Sequence, residues 1–267
     1  MIKLGKLSLL LFAAALALSA YGQAAPASPP AADAAQAAVR NPEDLALEQQ
    51  LRQGIGLLQS GRPAQAITDH FDKVIAAFEL RFKDDTRKFY TGRWQIDTLM
   101  YLVEAAASKE EPKRGAVVVP SLWSDAWYLK GYALVELRRI SEAKSALESA
   151  LALSPRNSQY LGELGNLYLG LRDWPSAFAT FEKAAAAAGE FSPPEVKNAE
   201  LSRAWRGMGY VYIEQNRLDE AEKMYLQCLG LDKNDQRARG QLSYIADVRS
   251  KRLSAPGDGS PLPSLPK

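Results

Sequence analysis

A repeated spacing of small and large apolar residues is the dominant pattern of the chain. In three places, a glycine is followed twelve residues later by an alanine that begins the same further pattern. A large apolar residue stands four positions after each alanine and a small residue seven positions after it, so these positions share one helix face. The pairs are Gly131 and Ala143, Gly165 and Ala177, and Gly209 and Ala221. The pattern predicts helix–turn–helix units whose two helices approach closely where the small residues meet.

The period and the consensus residues connect this pattern to a known family. The first two glycines are 34 residues apart. Three segments supply most positions of the pattern W-x2-L-G-x2-Y, then A-x3-F, then P, namely 124–157, 158–191 and 202–235. Lys130 departs from it at a leucine position and Lys233 at the proline position. The chain therefore resembles the tetratricopeptide repeat family. The resemblance implies an all-α fold, a right-handed superhelical solenoid of helix–turn–helix repeats.

A degenerate N-terminal helical region is predicted for residues 41–120. Gly54 and Ala66 keep the spacing of twelve, and Asn41-Pro42 is a favourable helix start because proline fits the first helical position. His70 stands four residues after Ala66, at an interior position of the pattern. We interpret it as a partly buried structural histidine rather than a general base, since no nucleophile or carboxylate around it forms a known catalytic pattern.

The elements that flank the repeats are less regular. A further helix is expected over 94–107, and a charged and then valine-rich loop over 109–120. Val117, Val118 and Val119 of this loop are expected to pack against the repeats. Residues 236–252 are predicted to form a capping helix, because a stack of repeats needs a polar end. With this cap the repeat domain spans residues 121–252.

An insertion precedes the third repeat. Gly165 and Gly209 are 44 residues apart, ten more than the period. The insertion contains Ser192-Pro193-Pro194-Glu195, which resembles a capping box with proline just inside the helix start. We therefore expect a mostly helical insertion that extends the first helix of the third repeat backwards by about 14 Å. The alternative is a plain surface loop, since Pro-Pro also starts turns.

The two ends of the chain have the composition of segments outside a folded domain. Residues 1–22 are predicted to be a cleaved signal peptide, with two lysines ahead of an apolar run that is too short to span a bilayer. The alternative is an uncleaved anchor. Residues 23–40 are rich in alanine and proline and are expected to form a linker, and residues 253–267 a disordered tail. A protein with this arrangement is exported, to the periplasm or outside the cell.

Charge and residue counts exclude several functional classes. The net charge is +2, and removal of Lys3 and Lys6 with a signal peptide leaves 31 basic and 31 acidic residues. A neutral chain lacks the basic field that nucleic-acid binding needs, so no nucleic acid partner is expected. One cysteine cannot form an internal disulfide, and one histidine cannot build a histidine-rich metal site.

No motif of catalysis or cofactor binding is present. The sequence has no glycine-rich phosphate loop, HExxH, paired CxxC or GxSxG motif. Cys228 occupies the small-residue position of the third repeat, so we interpret it as a packed apolar side chain rather than a redox thiol. We therefore expect no catalytic residue, no metal and no cofactor, and predict that the protein is not an enzyme.

The resemblance also implies a binding surface. In this family the first helix of each repeat lines a concave groove that holds a peptide or a helix of a partner protein. The groove residues expected on this basis are Tyr128, Tyr132, Gln159, Asn166, Arg203, Arg206 and Tyr210. Gly162 would leave a gap for a partner side chain. The alternative is that these are ordinary solvated helix residues. A carboxylate clamp is not predicted, because tyrosines and Glu163 stand where it needs lysine and asparagine.

A second surface is basic and belongs to the predicted cap. It comprises Arg237, Arg239, Arg249, Lys251 and Arg252, opposed mainly by Asp247. Such a surface suits weak contact with an anionic surface, and the alternative is a solvated helix end whose cations complement the helix dipole.

The function that these features favour is a protein–protein interaction adaptor, or scaffold, of the cell envelope. The alternative is a structural protein that self-associates into a homo-oligomer through the projecting helix and the valine segment.

Overall fold

The computed structural model of the protein describes residues 41–107 and 115–254. The predicted signal peptide and linker lie outside these residues, as do residues 255–267 of the predicted tail and residues 109–114 of the predicted loop. The chain divides between Pro155 and Arg156 into two compact units. They are called the N-terminal unit and the C-terminal unit below, and each is described by itself.

The described part of the N-terminal unit contains five helices and two short strands. They are α1 (Pro42–Gln59), α2 (Pro63–Ala66, a π-helical turn Ile67–Phe71 and Asp72–Arg81), β1 (Lys88–Thr91), α3 (Gln95–Ala107), β2 (Ala116–Val119), α4 (Leu122–Glu136) and α5 (Ile140–Leu153). Helix α1 begins at Pro42, as the sequence predicts. The Asn41 side chain accepts a hydrogen bond of 3.0 Å from the Glu43 backbone N–H, which pairs one of the free donors at the helix start.

A glycine of the first helix packs against a large side chain of the second helix in every helix pair of the repeat pattern. A Cβ atom added at Gly131, Gly165 or Gly209 would lie 2.8, 2.8 or 2.9 Å from Leu147, Phe181 or Tyr225, respectively. These partners stand four residues after the repeat alanine. In the pair α1–α2 the partner of Gly54 is Phe71, five residues after Ala66, and the π-helical turn supplies the extra residue.

Because of the π-helical turn, His70 does not occupy the interior position that the sequence predicts. Phe71 is fully buried and takes the interior place, whereas His70 is half-buried at the surface of the pair. Its Nδ1 atom lies 2.8 Å from Gln50 Oε1. The histidine thus links α1 to α2, in keeping with a structural role.

Strands β1 and β2 form a parallel two-stranded sheet, which corrects the expected valine loop. Lys88 pairs with Ala116 and Thr91 with Val119, so Val117 to Val119 are strand residues. A parallel connection needs a crossover, and α3 provides it. Buried hydroxyls hold the end of β1 against α4 and α5, since Thr91 Oγ1 donates to Ser124 Oγ at 2.7 Å and Ser154 Oγ donates to the Thr91 carbonyl at 2.9 Å.

The C-terminal unit consists of helices throughout its described residues. They are α6 (Ser158–Leu171), α7 (Trp174–Phe191), α8 (Pro194–Glu214), α9 (Leu218–Leu231) and α10 (Gln236–Ser254). Asn157 caps α6 and Asp173 caps α7 through their side chains. Phe181 of α7 is fully buried, with its ring against Gly165 of α6 and Gly207 of α8. The glycines let three helices meet around one aromatic ring.

The insertion before the third repeat is helical, but it lengthens two helices rather than one. Helix α7 has 18 residues and α8 has 21, whereas α6 and α9 have 14 each. The predicted capping box at Ser192 is wrong, because α8 begins after Pro193 without a side-chain cap and the Ser192 hydroxyl donates to Glu200. Lys197 Nζ donates to the Gly189 carbonyl at 2.5 Å and ties the two extended ends together.

Candidate functional site

The first helices of the C-terminal unit present one row of polar and aromatic side chains, called the first-helix face below. The residues of this face are Gln159, Glu163 and Asn166 of α6, Arg203, Arg206 and Tyr210 of α8, and Arg237, Gln241 and Tyr244 of α10. The contribution of α10 was not predicted, although its residues are spaced four and then three positions apart, as in α6, while those of α8 are spaced three and then four.

Two arginines of the face are held by carboxylates. Arg203 Nη2 lies 2.6 Å from Glu163 Oε2, and the Glu163 side chain is only 7% exposed. Arg206 forms an ion pair with Asp235, which also accepts hydrogen bonds from the backbone N–H groups of Arg237 and Ala238 at the start of α10. Charge-assisted bonds of this kind fix the guanidinium groups in place. Both arginines are therefore structural as well as available in part to a partner.

A third arginine adds positive charge beside these pairs. Arg237 has a lowered pKa, first because of partial burial and then because of the charges of Arg206 and Arg203, which outweigh the opposing effect of Asp235. Three guanidinium groups thus lie near one another at this end of the face.

The other end of the face is aromatic. Tyr210 lies with its ring centroid 6.5 Å from that of Trp174. Burial, together with the charge and hydrogen bond of Glu214, raises the pKa of Tyr210 to about 12. Burial and Glu214 also raise the pKa of Tyr244. Both phenols therefore stay neutral at physiological pH and offer apolar ring area with a hydrogen-bonding tip.

Several sequence predictions about the binding surface need correction. Tyr128 and Tyr132 are buried in the N-terminal unit, and the Tyr132 hydroxyl donates to Glu136 Oε1 at 2.9 Å, so they are core residues rather than exposed contact residues. Gly162 does not leave a gap, because the Arg203 side chain lies over it, with its Nε 3.5 Å from the position of an added Cβ. Gln159 and Asn166 are half-buried on α6.

The predicted basic surface of the cap is divided in the structure. Arg249 pairs with Asp219 at 2.5 Å and with Glu222 at 2.8 Å. Arg239 donates to the Lys233 carbonyl, and Arg237 belongs to the first-helix face. The side chain of Arg252 lies outside the described residues. Several arginines of the expected basic surface are thus paired with neighbouring carboxylates and carbonyls. The sequence spacing could not identify these partners.

Cys228 is buried and packed, as its repeat position predicts. Its thiol donates to the carbonyls of Met224 and Ser202 at 3.3 and 3.5 Å. Burial raises its pKa from 9.0 to about 11, although the nearby Arg206 charge acts in the opposite direction. Because burial disfavours the thiolate, the stability that this site contributes is present below pH 9 and is lost as the pH rises towards 11.

We expect Cys228 of the folded protein to react with a thiol reagent at pH 8 at least about a hundredfold more slowly than in denaturant, where the thiolate fraction and access are both larger. Stopped-flow or manual thiol titration measures this ratio. A Leu226→Cys variant provides the control, because Leu226 is half-exposed and a thiol there reacts quickly. Equal reactivity of both cysteines in the folded state would show that the packing of α9 is not as described.

Comparison with known proteins agrees with the repeat geometry. The family model described as tetratricopeptide repeat matches residues 124–157 and, in a second form, residues 157–234. The chain is a tetratricopeptide repeat protein. The predicted fold class is thereby confirmed. The tetratricopeptide repeat fold is that of a scaffold for protein–protein interaction.

Solved structures resemble this tetratricopeptide repeat protein in fold alone. The pilF protein of Pseudomonas aeruginosa is 15% identical with a TM-score of 0.55, over 80% of this chain and 73% of that chain. MamA from Desulfovibrio magneticus RS-1 is 14% identical with a TM-score of 0.48, over 78% of this chain and 88% of that chain. The first repeat domain of Spaghetti (RPAP3), solved with an HSP90 peptide, is 21% identical with a TM-score of 0.42, over 51% of this chain and 98% of that chain. No curated protein sequence matches the chain.

Across residues 41–107 and 115–254, none of the helices has the length and apolar character required to cross a bilayer.

Proposed function

We propose that the protein is a non-enzymatic adaptor of the cell envelope that binds a segment of a partner protein on the first-helix face. The observation that carries the proposal is that Arg203, Arg206 and Arg237 lie near one another at one end of the face, with the aromatic residues at the other end. An extended or helical segment with an acidic residue followed by an apolar one would complement both ends.

Further side chains of the face support binding rather than packing alone. Gln241 is half-buried on this face, and its amide oxygen Oε1 has no hydrogen-bond donor among the described residues. Asn166 offers both a donor and an acceptor at the middle of the face. The extended ends of α7 and α8 provide additional surface for specificity.

Export is part of the same proposal. The lysines, the apolar run and the small residues of the first 24 positions support a signal peptide that is cleaved after Gly22 or Ala24. The mass of the protein recovered from the cell envelope tests it. A chain that has lost its first 22 or 24 residues supports export with cleavage, and a full-length chain that stays with the membrane supports the anchor.

Binding is best tested with substitutions that spare the buried ion pairs. Asn166→Ala combined with Arg237→Glu should reduce chemical cross-linking to the partner at least tenfold, because it removes an amide and reverses a positive charge of the face while the Arg203–Glu163 and Arg206–Asp235 pairs stay in place. The matched control combines Lys183→Ala with Lys223→Glu, at exposed positions of the second helices α7 and α9. Circular dichroism checks that helicity is retained. An unchanged partner set in the first variant would contradict the proposal.

A further inference from the structure

Helix α3 turns an apolar face towards solvent. Ile96, Leu99, Leu102 and Val103 are 49%, 60%, 40% and 52% exposed. They follow the spacing of one helix face, since residues three, four and seven positions apart lie on the same side. Elsewhere in the described chain, large exposed aliphatic residues are scattered singly along the helices. The concentration of four on a helix of 13 residues marks a surface that another element is suited to cover.

The rotation of α3 is fixed by its inner face. Tyr101 is fully buried and its ring stacks on that of Tyr90 in β1, with centroids 4.9 Å apart and planes inclined by 6°. Asp97, four residues earlier and also buried, accepts a hydrogen bond of 3.0 Å from the Arg93 backbone N–H. Because these two residues hold one side of the helix against the sheet, the aliphatic stripe must face outwards.

The charges of α3 argue against a bilayer as the covering surface. The helix contains no lysine or arginine, and Asp97 and Glu104 are its only charged residues. Helices that lie at a membrane surface carry basic residues along their polar edge, and an anionic leaflet repels an exposed glutamate.

A second copy of α3 fits the stripe better. In an antiparallel pair related by a twofold axis, Ile96 of one copy faces Val103 of the other, and Leu99 and Leu102 of both copies lie between. Glu104 then falls beside the start of the other copy's helix, where the helix dipole is positive. The order of the apolar residues and the charge of Glu104 are therefore both self-complementary, as a twofold contact requires.

We propose that the outer face of α3 is the contact surface of a symmetric dimer of this protein. This surface differs from the projecting helix and valine segment that the sequence favoured for self-association, and it leaves the first-helix face to its partner. A helix of about 20 Å offers less than the roughly 800 Å² per partner of a standard interface. The dimer is accordingly weak, with a dissociation constant on the order of 10–100 µM.

Sedimentation equilibrium of the purified protein, expressed from the full-length sequence, tests the dimer. The mass should rise from one chain towards two over this concentration range, and Leu99→Glu should raise the dissociation constant more than tenfold by placing charges at the centre of the contact. Leu226→Glu is the matched control, because Leu226 of α9 is also half-exposed. A monomer at the highest concentration, or equal effects of both substitutions, overturns the proposal.

Disulfide cross-linking tests the register without destabilising charges. Cys228 is buried, so introduced cysteines are the reactive ones. A mixture of Ile96→Cys and Val103→Cys chains should form a cross-linked dimer on mild oxidation. Either chain alone should not. In the antiparallel pair, the same residue of the two copies is separated by seven residues along the helices, about 10 Å, which is beyond the reach of a disulfide. Cross-linking of each chain with itself, or of neither combination, contradicts the antiparallel pair.

Discussion

Replacing Phe181 with alanine should lower the free energy of unfolding by about 3–5 kcal/mol. The ring is fully buried and fills the space between Gly165 and Gly207, where added Cβ atoms would lie 2.8 and 2.5 Å from it. Removal of the ring leaves a cavity among the three helices. The cavity cannot close fully, because the helix backbones are already in close contact. Urea denaturation followed by circular dichroism measures the loss.

The surroundings of Phe181 supply the controls. Leu226→Ala removes a half-exposed side chain and should cost no more than about 1 kcal/mol. Gly207→Ala should also destabilise the protein, but less in a Phe181→Leu background than in the wild type, since the smaller side chain makes room for the added methyl group. A loss below about 1 kcal/mol for Phe181→Ala would show that the ring does not join the three helices.

Replacing Arg203 with alanine should lower the free energy of unfolding by about 2–4 kcal/mol, mainly because it strands the Glu163 carboxylate in a site that is 7% exposed. Glu163→Gln in the Arg203→Ala background should recover part of the loss, since it removes the unpaired buried charge. Thermal or urea denaturation of the single and double variants completes the cycle. If the two substitutions change the free energy of unfolding additively, the 2.6 Å ion pair contributes little to stability.

The ion pairs affect how binding experiments are designed. Alanine substitutions at Arg203 or Arg206 would weaken folding and binding together, so a lost partner would have two explanations. Arg237 and Asn166 avoid this ambiguity, because neither belongs to the Arg203–Glu163 or the Arg206–Asp235 pair.

The regular repeats could be predicted from sequence because their determinants are local. Gly131, Gly165 and Gly209 each meet a large residue sixteen positions later in the same helix pair. The first pair follows the same principle with one additional residue, and the π-helical turn that absorbs it has no sequence signature. His70 was therefore assigned the place that Phe71 occupies.

The strand–helix–strand segment could not be predicted in the same way. Its strands have four residues each, and their pairing joins Lys88 to Ala116 across the intervening helix. The run of β-branched residues from Val117 to Val119 was the available signal. The apolar residues of α3 do not show by themselves which side of the helix is inside, whereas the buried Asp97 and Tyr101 do.

The candidate site was predictable in position but not in its electrostatics. The family spacing located Asn166, Arg203, Arg206 and Tyr210 on the first helices of the C-terminal unit. The partner of Arg203 lies 40 residues away in sequence and that of Arg206 lies 29 residues away, so spacing alone does not reveal them. Tyr128 and Tyr132 follow the same spacing but are buried in the N-terminal unit.

Site-specific photo-cross-linking in cells tests the central claim most directly. A photoreactive residue placed at Gln159, Asn166 or Tyr210 should attach to one segment of one partner protein. The same residue at Lys183 or Leu226, which are exposed on the second helices, should not. Partner attachment from both sets of positions, or from the second-helix set alone, would contradict binding on the first-helix face.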